Sequence, residues 1–375
     1  MIEQIIKFSI NQRWAALLAT LGVALLGIYN APRLLIDAVP DITNVQVQIN
    51  TVAGGFSPLE VEQRVTFPIE NDMAGLPRLK ETRSLSRYGA SHVTVIFEDG
   101  TDIYFARQLV GERIRTAKVK LPPGIEPNMG PPATGLGEIF MWSVEAKAGA
   151  MKPNGSPYTL TDLRTIQDWI IKPRLKNVRG VTEVNSIGGF KKQIHVTPSP
   201  EKLVTYGLTF QDILRALANN NANIGAGYIE RSGEQYLVRV PGQVTDLEEI
   251  RQITIGSRKG VPIHIRDVAE VLLGKELRTG AATENGAETV HGTAFMLIGE
   301  NSRTTAQSVA DKVVEINLSL PNGVIVKPVY NRTALVNATI ETVRNNLIVG
   351  ALLVTLILFI FLGNLRAALI TALII

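Results

Sequence analysis

Side chains that commonly carry out chemistry are few in this chain and are not grouped. The histidines are His92, His195, His264 and His291. No two of them are close enough in sequence to bind one metal ion from a single helix. The chain has no cysteine, which excludes disulfides and thiolate metal sites. No nucleophile elbow, P-loop or dinucleotide fingerprint is present, so we predict that the protein is not an enzyme.

The charges argue against a nucleic-acid partner. The chain has 38 basic and 34 acidic residues, a net charge of +4, and no basic tract. Its mean hydropathy is +0.14, but residues 33–343 have the mixed composition of an ordinary soluble protein. The apolar excess therefore lies towards the two ends of the chain.

Two long uncharged segments predict membrane helices. One covers about nineteen residues from Trp14 to Pro32, and the other about twenty-one between Arg344 and Arg366. At about 1.5 Å per residue, each is close to the ~30 Å hydrocarbon thickness of a bilayer. We predict membrane helices at 14–32 and 345–362 and the start of a third at 366–375. The alternatives are a buried core helix for either segment and a cleaved signal peptide for the first.

Basic residues predict the orientation of these helices. Lys7 and Arg13 precede the first, and Arg366 lies in a short turn after the second. The positive-inside rule makes residues 1–13 a cytoplasmic segment and sends residues 33–343 to the other side, which is the periplasm in a bacterium. Neither segment has an ionisable side chain, whereas a proton-driven transporter needs one in the membrane. Either the protein is not such a transporter, or its proton-binding residues follow residue 375.

The region between the membrane helices is predicted to contain a repeated α/β unit. Residues 45–53 alternate like a strand, and Ser57, Pro58 and Glu60 form the start of a helix. Strands at 79–88 and 91–97 and a helix at 103–120 complete the split βαβ order. Elements of the second copy are predicted at 139–146, 160–177, 181–186, 289–298, 304–318 and 324–329.

Similar helix endings favour the duplication. Leu121-Pro-Pro-Gly124 and Leu320-Pro-Asn-Gly323 each precede an apolar, β-branched segment. Chance similarity of two common helix-stop signals is the alternative. The long interval within the second copy predicts an inserted module at about 186–273.

The inserted module contains a polar segment that we interpret as a hairpin tip. Its residues are Asn219, Asn220, Asn221, Asn223, Gly225 and Gly227. Strands are predicted at 228–232 and 236–240, on the two sides of Gly233. A flexible surface loop and an arm that reaches a neighbouring subunit both fit this pattern.

Several blocks of the sequence resemble the heavy-metal efflux branch of the resistance-nodulation-division (RND) exporters. They are residues 35–48 (LIDAVPDITNVQVQ), 57–62 (SPLEVE), 86–91 (SRYGAS), 97–107 (FEDGTDIYFAR), 134–139 (TGLGEI) and 162–173 (DLRTIQDWIIKP). The resemblance covers the whole chain, which would correspond to about the first third of such a pump.

The resemblance implies a membrane protein of the α+β class: a homotrimeric, multi-pass antiporter of the bacterial inner membrane that exports metal ions by proton exchange. It works with a periplasmic adaptor and an outer-membrane channel, and has no cofactor apart from the cation that it carries. Ferredoxin-like porter subdomains are expected at 34–133 and at 134–185 with 274–332. A docking subdomain is expected at 186–273, with residues 219–229 as its arm into the next protomer. The proton-carrying residues of the family lie in a later membrane helix.

The resemblance also bears on which metal is carried. Pumps for monovalent copper and silver use methionine ladders, but this chain has six methionines and no paired motif. Divalent zinc, cobalt or cadmium favours carboxylate and imidazole ligands. Glu138 resembles an acidic position of the divalent subgroup, and Asp168 is expected to face the same cleft, so both are candidate partial ligands for Zn²⁺. The alternative is that Glu138 only begins a strand and Asp168 is a surface charge on a helix.

Two other functions compete with divalent-metal export. A drug-exporting RND pump would have an aromatic-rich cleft, which the 6% aromatic content does little to support. A two-span sensory receptor would continue from its second span into a signalling module. Here only about five residues separate that span from another apolar segment.

Overall fold

The computed structural model describes residues 10–30, 37, 42–221, 224–240, 242–278, 280–363, 365, 366 and 370. The predicted mixture of helices and strands is confirmed. Helix α1, Arg13–Asn30, comes first and corresponds to the predicted membrane segment at 14–32. The third predicted membrane segment, 366–375, lies mostly outside the described residues.

The first sheet unit follows α1. Its strands are β1 Gln46–Val52, β2 Leu79–Arg87, β3 Ala90–Phe97 and β4 Pro127–Met129. They form an antiparallel sheet in the order β2-β3-β1-β4. Helix α2 runs from 58 to 73, between β1 and β2, and α3, Ile103–Lys118, lies between β3 and β4. Ser57 and Glu60 form the predicted capping box at the start of α2.

The second sheet unit has the same plan but is interrupted in sequence. Its strands are β5 Glu138–Ala146, β6 Val181–Gly188, β14 Ala287–Met296 and β15 Val324–Asn331, with the short β13 Ala282–Glu284 beside β14. The four long strands are arranged in the order β6-β14-β5-β15, again antiparallel. This order matches that of the first unit strand for strand, which supports the predicted duplication.

The helices of the second unit are α4, which runs from 160 to 176, and α9, Ser302–Ser319. They bury an apolar cluster against one face of the sheet, with Phe140, Trp142 and Val144 of β5 at its centre. The first unit has a separate cluster, which includes Ile49, Val95 and Val110. The opposite face of each sheet has no helix of its own unit packed on it among the described residues.

A wide π-helical turn occurs at the same place in the first helix of each unit. In α2 it is Glu62–Thr66, and in α4 it is Gln167–Ile171. A proline follows each turn by two residues, Pro68 and Pro173, and both the turns and the prolines lie 105 residues apart. Proline has no N–H to donate and its ring crowds the carbonyl four residues earlier, so the wider turn accommodates it without breaking the helix.

The first side chain of each π turn is anchored to the strand that follows the helix. Ser86 of β2 donates a hydrogen bond to Glu62, and Gln167 donates to Ser186 of β6 at 3.2 Å. Gln167 also accepts a hydrogen bond of 2.9 Å from the indole N–H of Trp142, in the core. These equivalent contacts are a second structural sign of the duplication.

The inserted module lies between β6 and β13. Its helices are α5 Pro200–Tyr206, α6 Phe210–Asn219, α7 Leu247–Gln252 and α8 Ile265–Val268. Its strands are β7 Lys192–Pro198, β8 Ile224–Arg231, β9 Glu234–Val240, β10 Thr254–Arg258, β11 Val261–His264 and β12 Ala269–Lys275. A third apolar cluster fills this module, with Ile213, Ile250 and Ile265 among its members.

Strands β7 and β12 connect the module to the second unit as an antiparallel pair. Lys192 lies opposite Lys275 and Pro198 opposite Ala269. The His195 ring covers Gly274 so closely that a Cβ there would lie 2.3–2.4 Å from three ring atoms. Glycine is therefore required at position 274 of β12.

The β8–β9 hairpin turns at a different place from the predicted tip. The turn is Ser232-Gly233, with positive φ at both residues and Arg231 paired with Glu234. This is the two-residue geometry that hairpins favour. The prediction that residues 219–227 form the tip is wrong: Asn219 ends α6, and residues from Ile224 onward belong to β8. Asparagine and glycine signal helix ends and bulges as well as turns, which explains the error.

Helix α10, Arg332–Leu362, is the last long element. It extends the predicted segment at 345–362 by more than three turns towards the second unit. Both α1 and α10 are long and apolar enough to cross a membrane, and no part of the most apolar window of either is buried against the protein. Within the described part of the chain, neither is therefore a buried core helix.

Candidate functional site

Glu138, the first candidate metal ligand, is the first residue of β5. A 3₁₀ turn, Gly135–Gly137, leads into it, and a Cβ at Gly137 would lie 3.3 Å from the carbonyl oxygen of Met296. Glu138 pairs with Phe295 of β14 and is half-buried. The turn thus fixes the position of Glu138 at the beginning of β5.

Asp168, the second candidate, lies within the π turn of α4. Its Oδ2 accepts a 2.7 Å hydrogen bond from Nε of Arg164, and the same guanidinium donates to the Gly188 carbonyl at 2.8 Å. About a fifth of each side chain is exposed, 22% for Asp168 and 20% for Arg164. The carboxylate is therefore neutralised by an arginine that is itself tied to the end of β6.

Asp168 follows Gln167 in the π turn, and Gln167 contacts Trp142 of β5 at 2.9 Å. Trp142 lies four residues from Glu138 along β5, which corresponds to about 13 Å of strand. In the described part of the chain, no group of three or more histidine, aspartate or glutamate side chains could hold a metal ion. Among the described hydrogen bonds and ion pairs, none joins Glu138 to Asp168.

A charged cluster, which no pattern in the sequence indicated, lies on the face of the second sheet opposite its helices, the open face. Lys327 of β15 donates a hydrogen bond to Glu284 of β13 and lies 3.9 Å from Glu145, which accepts a 2.8 Å hydrogen bond from Ser143. The hydrogen bond from Lys327 lowers the pKa of Glu284 to about 2, so this carboxylate stays ionised. Glu145, Glu284 and Lys327 lie far apart in sequence, and only the pairing of the strands shows that they form one cluster.

His291 lies on the same open face, opposite Ser143. Burial lowers the pKa of its imidazole, while the negative charges of Glu138 and Glu284 oppose this shift. The ring is therefore neutral near pH 7 and keeps a free nitrogen lone pair. The open face of the second unit thus presents carboxylates and one imidazole, the ligand types that suit divalent cations.

The residues predicted to form an intersubunit arm lie at the base and along the first strand of the β8–β9 hairpin. Asn220 caps the C-terminal end of α6 by donating a 2.8 Å side-chain hydrogen bond to the Ala216 carbonyl, and Asn221 follows it. Asn223 is outside the described residues. Gly225 lies in β8, and Gly227, with a φ of +83°, sits at a break in the register, consistent with a bulge.

Beyond its base, the hairpin exposes large apolar side chains. Tyr228, Ile229 and Tyr236 are each more than half exposed. A two-stranded hairpin is at best marginally stable alone, so these side chains are available for burial by another surface.

Comparison with known proteins identifies relatives along the whole chain. Residues 5–375 match the AcrB/AcrD/AcrF family. The chain is 64% identical to Protein HelA of Legionella pneumophila and 63% identical to the cobalt-zinc-cadmium resistance protein CzcA of Cupriavidus metallidurans, each over all of its 375 residues. A crystal structure of a heavy metal efflux pump matches 98% of the chain with a TM-score of 0.88 and 33% identity.

The match covers only part of each relative. The chain spans 36% of HelA, 35% of CzcA and 36% of the crystallised pump. Within that part, the similarity is continuous from the first membrane helix through both sheet units and the inserted module. The chain belongs to the AcrB/AcrD/AcrF family of RND transporters and, within it, to the heavy-metal efflux branch.

Proposed function

We propose that the full-length protein is an RND antiporter that exports divalent heavy-metal cations, Zn²⁺ first and also Co²⁺ and Cd²⁺, in exchange for protons. The observation that carries this proposal is the 63% identity, over the whole chain, to a protein named for cobalt, zinc and cadmium resistance. The six methionines and the carboxylates and imidazole of the open sheet face agree with a divalent substrate. The low aromatic content disfavours the drug-exporting alternative.

We further propose that the two sheet units are split βαβ porter subdomains in the periplasm, at 34–133 and at 134–185 with 274–332. The antiparallel order that both units share supports this assignment. The inserted module, 186–273, would be the docking subdomain of a homotrimer that works with an adaptor and an outer-membrane channel. The exposed apolar side chains of the β8–β9 hairpin support its role as an arm onto the next protomer.

Metal accumulation in cells tests the transport proposal. A bacterial host that lacks its own zinc exporters, and that expresses the full-length protein with its adaptor and channel, should grow at higher Zn²⁺ and contain less zinc. The matched control is the same host with the adaptor omitted. Unchanged zinc content together with resistance to hydrophobic drugs would favour the drug exporter instead.

We propose that Glu138 and Asp168 each give one carboxylate to Zn²⁺ on its path, with the remaining ligands coming from outside this chain. Asp168 would exchange its ion pair with Arg164 for the metal.

Substitution of each carboxylate should weaken zinc binding by the full-length protein. We expect Glu138→Ala and Asp168→Ala each to lower affinity at least about tenfold, because even indirect partners of a metal ligand have effects of that size. Isothermal titration with Zn²⁺ measures this. Asp311→Ala is the matched control, since this exposed carboxylate of α9 bonds only to Gln307 among the described contacts. Affinity unchanged in both variants would rule out these ligands.

A further inference from the structure

A buried arginine joins three segments of the chain at the start of α10. The side chain of Arg332 is 7% exposed. Its Nε and Nη2 both lie 2.9 Å from Oδ1 of Asp37, and its Nη1 donates to the Leu136 carbonyl at 3.1 Å. The geometry of the guanidinium, which presents several donors in a rigid plane, makes these contacts possible at once.

The partners of Arg332 belong to different parts of the molecule. Asp37 lies in sequence between α1 and the first sheet unit, and Leu136 lies in the turn that leads from the first unit to the second. Arg332 itself begins the helix that leaves the second unit. One guanidinium therefore connects the exit of α1, the crossover between the units and the first turn of α10.

The beginning of α10 is also fixed to the second unit. Asn331 caps the helix by accepting a hydrogen bond from the Thr333 N–H at 2.9 Å, and the Thr333 hydroxyl donates to the Arg303 carbonyl at 3.2 Å. The Arg303 side chain donates to Asn337 at 2.7 Å, and Val336 is fully buried. About one and a half turns of α10 are thus part of the unit's surface.

The rest of α10 is suited to transmit movement. It is one uninterrupted helix of 31 residues without proline, about 46 Å long at 1.5 Å per residue. Only about 30 Å of that length is needed to cross the hydrocarbon of a bilayer. A tilt of the membrane part would therefore be carried directly to Arg332 and its partners.

We propose that Arg332 is a positioning residue for transport, which couples the membrane helix α10 to the crossover between the two sheet units through Asp37 and the Leu136 carbonyl. This inference rests on the proposed transport function. The guanidinium is buried and the Asp37 side chain is 28% exposed, so solvent competes only weakly for these contacts, and the movement of one segment is imposed on the other two. None of the contacts described for Arg332 is with Glu138 or Asp168, so the residue acts on the rate of the cycle and not on metal affinity.

Zinc transport by the full-length protein in proteoliposomes tests this coupling. Arg332→Gln is expected to lower the maximal rate about tenfold or more, with KM and the zinc Kd unchanged within about twofold, the pattern of a lost transition step. Asp37→Asn should also lower the rate, and the Arg332→Gln/Asp37→Asn double variant should be no slower than Arg332→Gln, because the two residues act as one unit. Arg332→Lys should recover part of the rate. Arg344→Gln, on the exposed face of the same helix, is the matched control and should transport normally.

A rise in KM at an unchanged rate, additive losses in the double variant, or a normal rate in Arg332→Gln would each overturn the proposal. If Arg332→Gln fails to fold, the double variant still tests the proposal, because the double variant removes both charges and leaves neither without its partner.

A distance measurement separates failure of the coupling from failure of the proposed function. One spin label would replace Val119 of the first unit, which is 86% exposed, and the other Glu341 of α10, whose side chain is 66% exposed. The distance between the two labels reports how the first unit and α10 move relative to each other. Removal of Arg332 should broaden their distance distribution even if the wild-type protein moves no zinc. Equal distributions would overturn the coupling whatever the transport assay shows.

Discussion

Gly292→Ala is expected to destabilise the second sheet unit by about 3 kcal/mol, near the upper end for an overpacked core. A Cβ at this position of β14 would lie 2.2–2.5 Å from three atoms of the Trp142 indole. Trp142 is completely buried, and its N–H is held by Gln167, so the ring has no free space into which to move. Chemical denaturation followed by circular dichroism measures the loss.

The cause of this loss can be separated from a general effect of alanine in a strand. Gly256→Ala in β10 is the matched control, because its Cβ would make only an ordinary 3.7 Å contact with Leu208. We expect it to change stability by less than about 0.5 kcal/mol. Trp142→Phe, which removes the crowded atoms, should make Gly292→Ala less harmful in the double variant. Equal losses in Gly256→Ala and Gly292→Ala would contradict the explanation.

Leu21→Arg is expected to prevent stable membrane insertion of α1, whereas Leu353→Arg is expected to be tolerated in α10. Arginine in place of leucine near the centre of a span costs about 3–4 kcal/mol on insertion scales. The mean hydropathy of the α1 span is only 1.3, against 2.1 for α10, so α1 has less apolar surface to offset that cost. The inserted fraction of each helix can be measured by glycosylation of engineered acceptor sites in microsomes.

Two further results would complete this comparison. Leu21→Ala should insert normally, because alanine has little preference between the membrane and water. If Leu21→Arg and Leu353→Arg inserted equally well, the difference in hydropathy between the helices would have no bearing on their insertion. If neither helix inserted even without substitution, the membrane assignment itself would be wrong.

Local signals made much of the fold predictable. Alternating β-branched residues located β1 within one residue at each end, 45–53 against Gln46–Val52. Ser57 with Glu60 formed the capping box that their spacing indicates. These features depend on residues three or four positions apart, so a single sequence contains all the information that they require.

Features that depend on distant residues were not predictable in this way. The π turns could not be predicted, because Pro68 and Pro173 lie inside helices, whereas proline in a sequence usually indicates that a helix stops. The cluster of Lys327 with Glu284 and the contact of Arg332 with Asp37 join residues 43 and 295 positions apart. Of the two candidate ligands, the resemblance indicated the residues, but the ion pair of Asp168 with Arg164 became evident only in the structure.

The pairing of β7 with β12 has a consequence for how this chain could diversify. Because Lys192 lies opposite Lys275, the polypeptide departs from the second unit and returns to it at adjacent points. The entropy of closing such an excursion grows only slowly with its length. The segment between Lys192 and Lys275 can therefore be replaced, lengthened or shortened in one recombination event without shifting the strands on either side of it. The second sheet unit and the inserted module are therefore free to evolve at separate rates.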